Sequence, residues 1–289
     1  MKRMFRYIAA FFILSFALTG CTNSQLNSKI ISETSNGDFS ICFINSGKSD
    51  SILVMYEGKS YLIDTGTKDS VDAIKKALEA NNVESLDGVF LTHTHKDHIG
   101  GLKKLSKEYN IPVVYSAEIS MNKEEGTNAI DSLVDNELNL KHEKLKAGDK
   151  INITDDVYFE VLGPITYNSD DDNDNSLVLR INVNGKTVLL TGDMQFAEEV
   201  SLMDSGVDVK ADILKVGNHG NKDATSKEFA EAVDPSIAVI TTDREEDSGT
   251  ASKRVRKLFE ETNLYITDDY DVGLLVTITK SGEIEVTPK

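Results

Sequence analysis

The sequence predicts an α/β domain in which two β-sheets stack and helices cover their outer sides. Three observations carry this. The chain has 289 residues, enough for a sizeable buried core. From Phe39 onward, apolar runs of strand length alternate with runs of helical spacing. The alternation occurs twice, strands first and then strand with helix, with no Pro-rich linker or abrupt compositional shift between the halves, so the body reads as one domain.

Taken in order, "FSICFIN", "SILVMYEG" and "KSYLIDTG" read as three strands, the last two joined by a tight turn around Glu57 to Lys59. "DSVDAIKKALEANNV" carries apolar residues at Val71, Ile74 and Leu78, with Asp69 or Ser70 as the cap. "DGVFLT" is a buried strand, "GLKKLSKEY" a helix and "IPVVYS" another strand. The middle, "KHEKLKAGDKINITDDVYFEVLGP", is strand-rich, and "NSLVLRINVNGKTVLLTGD" is a hairpin turning at Asn184-Gly185. The C-terminal part alternates "ADILKVG", "SKEFAEAV", "SIAVITT" and "SKRVRKLFEE" before closing with the strands in "GLLVTITKSGEIEVT".

Ahead of that body, residues 1–20 read as a secretory signal. A basic start, "MKRMFR", precedes a short apolar run that stops abruptly. The ending "LTGC" resembles a bacterial lipobox, which implies cleavage that leaves Cys21 as a lipid-carrying N-terminus on the outer face of the cell membrane. Residues 21–37 are polar and without period, a tether; residues 38–289 are the folded domain. The second of the two cysteines, Cys42, sits in an apolar strand and reads as a small core residue rather than half of a disulfide.

The formal net charge is −17, spread along the chain. This favours solubility, repels polyanions and lacks the basic footprint of a protein that grips long nucleic acid. Bound metal ions would reverse the sign locally. Oligomeric state is not legible.

Five histidines occur in all, and three of them crowd "LTHTHKDHIGGL". A strand ending in His-Thr-His delivers His93 and His95 on one side of an extended backbone, because side chains alternate with period two. Asp97 and His98 follow on the turn into a helix, where Gly100 and Gly101 permit close packing of backbones. Imidazole and carboxylate without thiolate suit zinc, manganese or iron, and one local cluster cannot close a metal site. Asp193, ending "TVLLTGD", and His219, ending "DILKVGNHG", stand at the same kind of strand end and are the distant candidates.

"THTHKDHIGG", "LLTGDM" and "LKVGNHG", in this order, resemble the metallo-β-lactamase superfamily. "SGKSDSILV", "YLIDTG" and "DNDNSLVLR" are similar to its branch containing the C-terminal domain of ComEC competence proteins and the teichoic-acid phosphorylcholine esterases. The resemblance covers nearly everything from Phe39 onward. It implies a four-layered αβ/βα sandwich with two divalent metal ions, zinc or manganese, at one edge of the sheets. His93 and His95 would hold one metal, Asp97, His98 and His219 the second, and Asp193 both. Asp64 would orient a ligand from behind. A hydroxide between the metals would be the nucleophile, with Asp97 and Asp193 as the catalytic carboxylates.

The chain also departs from that pattern. His142 is the only histidine between the cluster and Asp193, and it reads as a surface residue rather than a ligand. Asn175, in "DNDNS", reads equally as a hydrogen-bonding group at an open first metal site or as a turn residue before a strand. The run "SDDDNDNS" fails the EF-hand template, with Asn175 for glycine at position six and Ile181 at position twelve, and reads as a solvated acidic loop. Asn218 and Thr250 replace histidines that the branch carries; they can hydrogen-bond to an anionic oxygen but cannot serve as general acids near neutral pH. The expected substrate is a small or envelope-derived phosphodiester or related phosphate ester. The competing readings are hydrolysis of a carboxylic ester, lactone or β-lactam, and a metal-retaining sensing module with little catalysis.

Overall fold

The computed structural model describes residues 37–118 and 129–289, which lie in one compact unit. The signal, Cys21 and all but the last residue of the tether lie outside the described residues. Among the described residues, no helix is long and apolar enough to cross a membrane.

Fifteen strands are present among them: β1 (Phe39–Ile44), β2 (Ile52–Tyr56), β3 (Lys59–Ile63), β4 (Gly88–Leu91), β5 (Val114–Ala117), β6 (His142–Leu145), β7 (Lys150–Asn152), β8 (Tyr158–Gly163), β9 (Val178–Val183), β10 (Lys186–Leu190), β11 (Ile213–Lys215), β12 (Ile237–Ile240), β13 (Asn263–Ile266), β14 (Gly273–Ile278) and β15 (Ile284–Pro288). They form an eight-stranded sheet in the order β15-β14-β1-β2-β3-β4-β5-β6 and a seven-stranded sheet in the order β13-β12-β11-β10-β9-β8-β7. The helices are α1 (Val71–Ala80), α2 (Lys96–Ile99), α3 (Leu102–Leu105), α4 (Ala129–Asp131), α5 (Phe196–Asp204), α6 (Lys227–Val233) and α7 (Lys253–Leu258).

Period-two patterning makes the layers. In β1, Phe39, Ile41 and Phe43 join the core between the sheets, while Cys42 and Ile44 face the other way, onto the helix layer of α1 and α3. Every residue of β1 is buried, as a strand covered on both faces requires. Phe159, Leu179 and Val188 reach the inter-sheet core from the second sheet, and Leu189 and Leu214 pack outward against Leu202, Phe229 and Val255 of α5, α6 and α7. Three apolar cores therefore separate four layers, as expected. Cys42 is buried and free, and burial pushes its thiol pKa up to about 12.

Both expected turns form. Glu57-Gly58 and Asn184-Gly185 each place two residues at positive φ, which matches the twist of the flanking strands. At α1 the cap falls one turn earlier than expected. Ser70 makes no side-chain cap bond; the Thr67 hydroxyl accepts from the N–H groups of Asp69 and Ser70 instead. Helix α5 and strand β13 were not expected from the pattern. Helix α5 buries Glu198 and Glu199 beside Leu202, so its inward face carries acids and breaks the apolar stripe. Glu199 accepts from the N–H groups of Thr225 and Ser226, which ties α5 to the entry of α6.

Strands β3, β4, β5 and β6 run parallel, as do β10, β11, β12 and β13. The segments that follow β3, β4, β10, β11 and β12 bring Asp64, His93, Asp193, His219 and Thr241 together by direct contact. That is where parallel strands leave a crevice for a site.

Candidate metal centre

Among the described residues, Asp97, His98, Asp193 and His219 each offer a ligand atom within 4.8 Å of the others. His98 Nε2 lies 3.2 Å and His219 Nε2 3.3 Å from Asp193 Oδ2, and His219 Nε2 lies 3.4 Å from Asp97 Oδ2. Despite these distances, His98 Nε2, His219 Nε2 and Asp193 Oδ1 are buried without a hydrogen bond of acceptable geometry. Buried polar atoms are ordinarily paired. The two orphaned imidazole nitrogens converge on Asp193 Oδ2, with Asp97 beside them, as around a shared cation, so the donor set suits a divalent metal with nitrogen and oxygen ligands.

The other nitrogen of each imidazole is held from behind. His98 Nδ1 donates to Asp64 Oδ2 at 2.7 Å, and His219 Nδ1 donates to the Thr241 carbonyl at 2.8 Å. Each bond leaves Nε2 facing the cluster. Asp64 does more than the sequence implied. Its Oδ1 accepts from Thr92 N at 2.8 Å, its Oδ2 accepts from the Thr92 hydroxyl at 2.7 Å, and that hydroxyl stands 3.1 Å from His93 Nδ1. With its proton given to Asp64, the hydroxyl accepts from His93 Nδ1–H, so one buried carboxylate orients both His98 and His93.

His93 and His95 pair at 3.0 Å, Nε2 to Nδ1, and the His93 ring centroid lies 4.1 Å from that of His98. His93 is buried and His95 exposed. They flank the four-residue group without completing a further set of three. The structure thus closes the second expected ligand set around Asp193 and leaves the His93–His95 pair open.

Backbone conformation aims these groups. Asn218, His219 and Gly220 all have positive φ, and the turn is pinned by Ala251 N to His219 O at 3.1 Å and Ser252 N to Gly220 O at 2.9 Å. Left-handed φ at two consecutive non-glycine residues is a strained arrangement that the surrounding bonds must enforce. Before Asp193, Gly192 is required: its φ is +52, and a Cβ there would stand 3.0 Å from Ser176 and 3.1 Å from Thr92.

Charges surround the ligands. Burial opposes a charged His98, yet Asp193 and Asp64 raise its pKa well above the ordinary imidazole value. Burial likewise opposes a charged His219, and Asp193 with Asp97 lifts it to about 9. Burial would raise Asp193, and the two imidazoles pull it well below the usual carboxylate range. His93, buried and beside His98, is held well below its ordinary value. Fully buried Lys215 pairs with Asp50, donates to the Gly192 carbonyl at 2.7 Å, and stands 3.5 Å from Asp193 Oδ1. Asp50 also accepts from the Thr241 hydroxyl and lies 3.5 Å from His219 Nδ1. Asp50, Lys215 and Thr92 were missed as site residues although all three lie in quoted motifs, because a lysine ending an apolar strand carries no mark of its partner.

Several expectations need correction. The acidic loop is part of the scaffold rather than a solvated loop. Asp172 accepts from Thr94 N at 2.9 Å and from the Thr94 hydroxyl, between the two histidines, and buried Asp174 accepts from Gln195 N and Glu198 N to cap α5. Asn175 spends its amide within this loop, on Asn168 and on Asp172 Oδ1, so it reaches the histidine strand only through Asp172. The Asn218 amide donates to Asp223, and the Thr250 hydroxyl donates to the Asp247 carbonyl and pairs with Thr242 at 2.6 Å. Both replacements are therefore engaged within the protein. His142 is not a free surface residue: its side chain is 5% exposed, between Ser116 Oγ at 2.8 Å and Asp135 at 2.9 Å. It stands outside the central cluster, and Lys144 already neutralises the neighbouring Asp131.

Fold and site together define a class: a two-sheet sandwich with helices outside and a histidine–carboxylate cluster at the strand ends. The sequence profile of the Metallo-beta-lactamase superfamily matches residues 45–242, and the chain belongs to that superfamily. It is 30% identical over 191 residues to ComE operon protein 3 of Bacillus subtilis, covering 65% of this chain and 24% of that protein. The chain thus spans about a quarter of that relative's length. It is 28% identical over 187 residues to a UPF0173 metal-dependent hydrolase of Staphylothermus marinus, covering 63% of this chain and 72% of that one. A solved structure described as a new diphosphatase from the PhnP family superposes with a TM-score of 0.54 at 14% identity, over 83% of this chain and 97% of that one, which shows the shared fold.

Proposed function

We propose that this protein is a dinuclear metal-dependent hydrolase of a phosphodiester or related phosphate ester, tethered by lipid on Cys21 to the outer face of the cytoplasmic membrane. The observation that carries the hydrolase reading is the convergence of the orphaned, buried Nε2 atoms of His98 and His219 on Asp193, with Asp97 at the rim. Membership in the superfamily and a relative named as a metal-dependent hydrolase support it. The motifs shared with the ComEC-like branch favour a phosphoester over a carboxylic ester or lactone. The tether rests on the basic start, the apolar run and "LTGC".

Residues His98, His219, Asp193 and Asp97 would hold one ion, and His93, His95 and Asp193 the other. Divalent ions bound there would bring the pKa of a water down to about 7 and offset negative charge on the phosphoryl oxygens. The chain supplies orientation. Asp64 fixes the tautomer of His98 directly and of His93 through Thr92, and the Thr241 carbonyl fixes His219. Buried Lys215 balances Asp50 and Asp193, so the carboxylates are not left as uncompensated buried charge. Neither Asn218 nor Thr250 is free to protonate a leaving group, so an ester with an acidic leaving alcohol suits the site best.

The test is metal content per chain, by elemental analysis, for the parent and His219→Ala, beside turnover of an activated phosphodiester by the parent and Asp193→Ala. About two metals falling toward one, with turnover lost in Asp193→Ala, is the expected result. Metal retained without turnover on phosphoesters, carboxylic esters or lactones would replace the enzyme with a sensing module.

A further inference from the structure

We propose that Lys48 is the anion-anchoring residue of this site, its ammonium taking a non-bridging oxygen of a phosphoryl group in substrate or product. The inference rests on the phosphoester reading and assigns a contact that the ligand set does not include.

The argument begins with charge. The chain carries −17 overall, and the cluster itself gathers Asp50, Asp64, Asp97 and Asp193, so a protein cation beside the bound ions would favour the approach of an anionic ester. Among the described residues, two lysines touch these carboxylates. Lys215 is fully buried and engaged by Asp50, Gly192 and Asp193, out of reach of a ligand. Lys48 has a side chain 30% exposed, and its Nζ stands 3.1 Å from Asp97 Oδ2. That same oxygen lies 3.4 Å from His219 Nε2, so the ammonium touches one residue of the ligand set while remaining partly open to solvent.

The backbone beneath Lys48 is held in place. Its N–H donates to Glu246 Oε2 at 2.9 Å, Ser49 N donates to Gly47 O at 2.8 Å, and Asp50 N donates to the Asp97 carbonyl at 3.1 Å. The loop is thereby fastened to the residue that the ammonium faces, and the four-carbon stem needs only rotamer changes to swing between Asp97 and an incoming oxygen. Were Asp97 to hold a cation, its hold on Lys48 would weaken, leaving the ammonium available to a phosphoryl oxygen. The two positions expected to meet phosphate, Asn218 and Thr250, are engaged elsewhere, which leaves this role to a different side chain.

The competing explanation is that Lys48 only balances Asp97. The two are separated with the full chain, metal-loaded, as Lys48→Met and Lys48→Arg, reading metal content by elemental analysis and inorganic phosphate affinity by titration calorimetry. Expected are unchanged metal content in both variants, phosphate affinity lowered about tenfold in Lys48→Met, and recovery in Lys48→Arg. Phosphate affinity that is unchanged in Lys48→Met, or absent in the parent, overturns the inference, as does loss of metal from Lys48→Met, which would mark a counter-ion. Lys48-dependent phosphate binding in a parent that hydrolyses no ester would leave the inference standing and defeat the hydrolase reading.

Discussion

Replacing Asp64 by asparagine keeps the side chain's shape and removes its charge, and the structure says what should follow. Three donors converge on this carboxylate: Thr92 N, the Thr92 hydroxyl and His98 Nδ1. Asparagine has one acceptor oxygen. With that oxygen on Thr92 N, the amide NH2 faces the Thr92 hydroxyl and His98 Nδ1. The hydroxyl can rotate and accept. The imidazole can accept only by moving its proton to Nε2, which puts an N–H where a ligand lone pair should be. Orienting partners of this kind are worth about 10–100-fold in metal affinity, or about 1.4–2.8 kcal/mol. Asp64→Ala leaves the three donors unmet and His98 with Asp193 as its remaining carboxylate partner, at about 3 kcal/mol of stability. Chelator competition measures the first effect and urea denaturation of the metal-free protein the second. Parent-like metal affinity in Asp64→Asn, with the fold intact, would refute the claim that Asp64 sets the tautomer of His98.

Two further predictions concern pH and packing. In the metal-free protein, His219 and His98 have raised pKa values, so the stability gained from their protons is fully present below about 6.5 and is lost as pH rises through about 9 for His219; metal uptake should therefore release protons and tighten toward pH 9, read by calorimetry in buffers of different ionisation heat. Gly101→Ala would place a Cβ 2.0 Å from the Thr65 carbonyl, and Thr65 N donates to the His98 carbonyl at 2.7 Å, so the variant should lose about 1–3 kcal/mol on chemical denaturation and weaken metal binding as well.

What the sequence determined by itself was set by local physics. Period-two and helical spacing follow from backbone geometry, so β1 to β4, α1, the hairpin turns and the strand after Asp212 were legible as runs of residues. The His93–His98 cluster was legible for the same reason, since one strand end and one turn hold it, and Asp64, Asp193 and His219 were legible as strand-end residues in recognised motifs. Elements whose pattern contradicts their burial were not. Helix α5 carries Glu198 and Glu199 inward because Thr225, Ser226 and neighbouring backbone groups take up part of the cost, and strand β13 is a short edge strand with a partly exposed face.

Only the tertiary structure decided partnership. Lys215 could have been any strand-end lysine until Asp50, more than 160 residues earlier in the chain, was found against it. Asn175, Asn218 and Thr250 have side chains able to meet an anion, and nothing in their spacing shows that nearby Asn168, Asp223, Asp247 and Thr242 already engage them. Residue type sets which hydrogen bonds and charges a side chain can offer. Which of those offers is taken depends on groups brought close by chain crossings, and burial then makes that choice binding, because a polar atom away from water must keep the partner it has.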